Sequence, residues 1–69
     1  MKRLRNTLYI NQPDRYLSLD GENIVISCEG KEIGRVPLHN LEQIVTFGYV
    51  GASPALMGKC ADNGIAIIL

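Results

Sequence analysis

Residues 16–38 read YLSLDGENIVISCEGKEIGRVPL. Three runs in this stretch alternate apolar and polar positions, and two turn signals separate them. In Tyr16–Asp20, Leu17 and Leu19 fall on one face and Tyr16, Ser18 and Asp20 on the other. In Asn23–Glu29, Ile24, Ile26 and Cys28 share a side; in Glu32–Leu38, Val36 and Leu38 point one way and Arg35 the other. A period of two is the pattern of a strand with one buried face. Asp20-Gly21 opens the first turn, because glycine enters positive φ at little cost. Glu29, Gly30 and Lys31 form the second. Pro37 has no N–H for a ladder and so marks an edge strand or a strand end.

The same reading extends outward. Arg3–Ile10 is a strand carrying the β-prone set Thr7, Leu8, Tyr9 and Ile10, and Asn11, Gln12, Pro13 and Asp14 break it. Glu42–Phe47 is a further strand. Then the period changes. Ser53-Pro54 starts a helix, with serine as N-cap and proline at the first helical position. Leu56, Met57, Cys60 and Ala61 lie three or four apart and form one apolar stripe to pack on the sheet. Asn63-Gly64 stops the helix. Gly58 costs about 1 kcal/mol of helix propensity, which close approach of the helix to the sheet would explain. The final run IAIIL, residues 65–69, reads as a strand buried on both faces. The expected fold is mainly β, of the α+β kind: about six short strands with one helix packed on the sheet. Thr7–Ile10 carries neither charge nor proline to guard an edge, and so small a domain leans on partners, so pairing of chains is expected.

Composition limits what the chain can be. Its 69 residues allow one domain. The formal net charge is zero, which argues against clinging to nucleic acid by bulk charge alone. No window offers the ~20 apolar residues of a membrane span, and the start, MKRLRNTLYINQPD, lacks a signal peptide's apolar segment. Cys28 and Cys60 form no C-x-x-C pair and have no zinc-ligand cluster around them; they read as two buried thiols, in keeping with a reducing cytoplasm.

The search for chemistry finds little. His39 is the sole histidine, in the turn-like Pro37-Leu38-His39-Asn40, and no motif ties it to a nucleophile. A structural or solvent-facing role accounts for it. Asp20 and Glu22 flank Gly21, and turn chemistry explains them better than a metal site. Gly48-Tyr49-Val50-Gly51 precedes the helix; close backbone packing accounts for its glycines better than a phosphate cradle. Lys2, Arg3 and Arg5 form the dense basic cluster, near Tyr9 and Arg15 in sequence. They are the candidate DNA-binding residues, against the plainer reading of a solvated terminus. No residue is assigned a catalytic or metal-binding role. By residue chemistry alone the chain is an assembly or binding module.

The stretches TLYI, YLSLDGENIVI, GRVPLHNLEQIVTFG and ASPALMGKCADNGIAI follow one another with short gaps. Together they resemble the N-terminal β-domain of the CRISPR-associated spacer-acquisition endonuclease, the integrase of the adaptation complex, and most of all its subtype I-C branch. PLHNLEQIV, followed by a helix opened by Ser-Pro and closed by Asn-Gly, is the most specific part. The resemblance implies an N-terminal fragment, residues 1–69, of a longer protein. A helical domain would follow, and its glutamate, histidine and aspartate would bind a divalent metal, magnesium or manganese. This chain would hold no cofactor and be inactive alone; His39 and Glu42 belong to the β-domain motif and do not replace those ligands. The β-domain's implied task is architectural: a homodimer, joined to the small partner protein of the adaptation complex, receiving double-stranded DNA in antiviral defence. Such enzymes work by metal-assisted phosphoryl transfer. Two rival readings are a free-standing β-rich oligomerisation module without a nucleic-acid role and a small enzyme built on His39 and a nearby acid.

Overall fold

A computed structural model describes residues 2–4, 6–48 and 50–68, the first three by their backbone. The described residues form eight short strands and one helix: β1 (Lys2–Leu4), β2 (Thr7–Ile10), β3 (Arg15–Asp20), β4 (Asn23–Cys28), β5 (Lys31–Pro37), β6 (Gln43–Thr46), β7 (Val50–Ala52), α1 (Pro54–Asp62) and β8 (Ala66–Ile68). They make two four-stranded sheets, ordered β1-β2-β6-β8 and β5-β4-β3-β7. The β3–β4–β5 part is antiparallel throughout, as consecutive strands joined by tight turns must be. Parallel pairs join β2 to β6, β6 to β8 and β3 to β7.

The alternation in the sequence becomes the core. Leu8, Ile10 and Ile44 from the first sheet meet Leu17, Ile24, Ile26 and Val36 from the second. Leu38, Leu41 and Ile65 close the connections, and all ten are buried. Tyr16, Asp20 and Arg35 face solvent, as their period requires. Pro37 ends β5, an edge strand.

Several expectations are corrected by the pairing. The Arg3–Ile10 strand is two strands: the chain folds back near Asn6, and Lys2, Arg3 and Leu4 pair with Tyr9, Leu8 and Thr7. The Asn6 carbonyl accepts from the Glu42 and Gln43 amides at 2.8 and 3.4 Å, so the turn is anchored to the start of β6. β2 therefore lies inside its sheet, between β1 and β6, and is no exposed edge. β7 was hidden in sequence by Gly51, a poor strand residue. Its register against β3 sets Gly51 opposite Tyr16, and a Cβ at Gly51 would stand 2.9 Å from the Tyr16 ring. The glycine is there for close approach.

The last strand is not buried on both faces. β8 sits at the edge of its sheet; Ile65, just before it, is buried, while Ile68 is 51% exposed. An edge strand of a two-layer fold has only one face to bury. The helix starts and stops as its sequence signals. Ser53 Oγ accepts from the Leu56 amide at 3.2 Å, Pro54 opens the first turn, and Gly64 follows the cap at φ +69°. Its apolar stripe is narrower than expected. Leu56 and Cys60 are buried, but Met57 is 46% exposed and Ala61 faces solvent. A helix of nine residues resting on one layer covers little more than a single i, i+4 row. Nor does Gly58 serve close packing, since a Cβ there would meet nothing within 4 Å. Of the two thiols, Cys60 is buried and Cys28 only half-buried; both are free. Burial pushes the Cys60 thiol pKa up.

Candidate nucleic-acid interface

β1 carries two of the three candidate DNA-binding residues. It is an edge strand held by β2 alone, and antiparallel pairing sets Lys2 level with Tyr9 and Arg3 level with Leu8. Arg5 lies outside the described residues, as do the side chains of Lys2 and Arg3.

The rest of the basic set divides by its partners. Arg35 is enclosed by acids: its Nη1 donates to Asp20 Oδ2 at 2.8 Å, and its Nε and Nη2 donate to the two Glu32 oxygens at 3.0 and 2.9 Å. This fork holds the Glu32 carboxyl below the usual glutamate range, chiefly by the hydrogen bond from Arg35, and raises Arg35 in turn. Lys59 on α1 reaches Glu22 at 2.9 Å. Both sets are exposed, so they neutralise charge more than they stabilise. Arg15 and Lys31 have no carboxylate partner among the described residues. Register aligns Arg15 with Cys28 and Cys28 with Lys31, so the two cations share one row at the end of the second sheet. Lys2 stands near that same end, since β2 runs to Ile10 and a four-residue loop leads straight to Arg15. The sequence does not show this grouping, because cross-strand register brings Lys31 there. The end is not uniformly basic: Asp14 and Glu29, at φ +61° and +53°, occupy its turns.

The other candidates do not assemble into chemistry. His39 is exposed and lines an open groove of about 610 Å³ with Glu22, Leu38, Asn40, Leu41, Asn63 and Ile65. That lining contains no serine or cysteine nucleophile. Asp20 and Glu22 turn to different partners, Arg35 and Lys59. No group of three histidine, cysteine or acidic side chains converges among the described residues; the divalent metal that the family resemblance implies belongs to its helical domain and not to these side chains.

Comparison with known proteins identifies the chain. A family described as CRISPR associated protein Cas1 matches residues 8–69. The chain is 48% identical over 69 residues to CRISPR-associated endonuclease Cas1 2 of Rhodospirillum rubrum, covering 100% of this chain and 20% of that protein. It is 46% identical over 67 residues to CRISPR-associated endonuclease Cas1 1 of Chlorobaculum tepidum, covering 97% and 20%. The corresponding protein of Moorella thermoacetica is 38% identical over 68 residues, again over 20% of its length. The chain thus spans about one fifth of the curated relatives it matches. With the match running from β2 to the final strand, the chain belongs to the CRISPR associated protein Cas1 family.

Proposed function

We propose that this chain is the N-terminal β-domain of a CRISPR-associated endonuclease and integrase, of the subtype I-C branch, and that it serves as a dimerisation and DNA-scaffold module. The observation that carries the reading is the 48% identity held over the whole chain yet over only 20% of an endonuclease. Spacer capture and insertion, with the divalent metal they use, then fall to the remaining four fifths of the protein. In the cytoplasm the β-domains pair, join the small partner protein of the adaptation complex, and present Lys2, Arg3 and Arg5 to double-stranded DNA. Weak phosphate contacts, repeated over the copies of an assembly, suit a domain with no net charge of its own.

The test uses the full-length protein with Lys2, Arg3 and Arg5 changed together to alanine. Duplex binding is measured against salt. Each lost phosphate contact lowers the slope of log K on log salt by about 0.9. An unchanged slope removes these residues from the DNA path. Light scattering over a dilution series tests pairing; a mass of one chain at high concentration sinks the dimer. A dimer whose salt slope ignores the triple change favours the plain oligomerisation module.

A further inference from the structure

At the end of the fold where β2 finishes and β3 begins, the two sheets do not close on each other. A cavity of about 190 Å³ remains, lined by Ile10, Gln12, Arg15, Ile26 and Ile33. Its floor is apolar, since Ile10 and Ile26 are fully buried core residues, one from each sheet. Ile33 forms part of its wall for a specific reason. The β4–β5 register slips between Ile26 and Ser27, which pair with Gly34 and Glu32 and leave Ile33 as the extra residue. A bulge of this kind re-aims a side chain, and Ile33 stays 53% exposed although it is aliphatic.

Arg15 supplies the polar edge. Its Nη1 donates to the Pro13 carbonyl and to Cys28 Sγ, both at 3.1 Å, which fixes the guanidinium in place. Nε and Nη2 have no acceptor among the described residues. A held guanidinium whose other N–H groups meet no acceptor among the described residues fits a carboxylate. An apolar cavity of roughly 150 Å³ is enough to take a benzene ring, so this one suits a single leucyl or phenyl side chain.

We propose that this inter-sheet cleft is a docking site for a second polypeptide, which inserts one large apolar side chain and sets an adjacent carboxylate on Arg15. The complementarity of cation and apolar slot selects that pair. Asp14 and Glu29 in the flanking turns oppose an extended acidic run, so a single carboxylate beside the apolar side chain fits better. The cleft shares its end of the fold with Lys2 but is lined by none of Lys2, Arg3 and Arg5, and its failure would leave their assignment to DNA standing.

The test is a titration of the isotope-labelled chain, followed by amide NMR, with the capped peptide acetyl-Gly-Leu-Asp-Gly-amide and with its Asn counterpart. Shifts are expected at Gln12, Arg15, Ile26 and Ile33, with a dissociation constant of roughly millimolar order. The acidic peptide should bind roughly five- to tenfold more tightly than the neutral one, the measure of one partly solvated charge-assisted contact. Arg15→Gln should erase that ratio, and Arg15→Lys should retain part of it. Absence of shifts up to about ten millimolar peptide, or equal affinity for the two peptides in the parent chain, overturns the proposal. A chain extended by the residues that follow the matched fifth of the Rhodospirillum relative separates the sources. Retained peptide shifts support a second polypeptide; a cleft closed by the extension overturns it in favour of cover by the same chain.

Discussion

Replacing Leu56 and Met57 one at a time separates the buried row of α1 from its neighbour. Leu56 is fully buried against both sheets' core residues, whereas Met57, one residue on, is 46% exposed. Leu56→Ala leaves a cavity where the helix meets β3, and such changes cost about 2–5 kcal/mol. At roughly 0.05–0.15 kcal/mol per residue, a domain this size has on the order of 3–10 kcal/mol in total. The substitution therefore removes a large part of the stability. Since about 1 kcal/mol moves the midpoint of so small a domain by 4–8 °C, a fall of at least about 8 °C is expected. Met57→Ala trades a half-exposed thioether for the best helix former, and a change within about 0.5 kcal/mol follows. Thermal and urea unfolding followed by circular dichroism measure both. Equal losses for the two variants, or a fall below about 1 kcal/mol for Leu56→Ala, would refute the placement of the helix.

Three further outcomes are expected. Gly58→Ala should raise the melting midpoint by about 4–8 °C, because the added methyl meets open space and helix propensity improves by about 1 kcal/mol; a lower midpoint would reveal packing at that position. Gly51→Ala should destabilise, since its Cβ would stand 2.9 Å from the Tyr16 ring, and Tyr16→Ala should relieve part of that loss in a double-mutant cycle; additive losses would contradict the contact. Glu32 should titrate below the ordinary glutamate range, and Arg35→Gln should return it there. A lowered folded pKa contributes stability above the unfolded value and loses it as pH falls through the folded one, so carbon-detected titration of both proteins checks the sign, and coincident midpoints refute the fork.

Local chemistry alone determined the β-rich class, the turns after Asp20 and Glu29, the Ser53-Pro54 start and Asn63-Gly64 stop of the helix, and the inward set Leu17, Ile24, Ile26, Val36 and Leu38. Each of these follows from a side chain's own conformational preference or from a period set by the backbone. The family was legible too, in PLHNLEQIV and the helix after it. Tertiary structure decided which strands are edges and which faces are covered. The Thr7–Ile10 run became an inner strand because β6 pairs with it from 36 positions further along the chain, as the Gln43–Thr7 side-chain bond shows. The IAIIL run became a half-exposed edge because the two-layer fold offers β8 one partner strand and one core face. Val50–Ala52 became a strand because Gly51 admits the Tyr16 ring. Arg15, Cys28 and Lys31 became neighbours through ladder register, and Ile33 reached the cleft through a bulge. Periodicity reports that a residue has a buried side; only long-range pairing supplies what it is buried against.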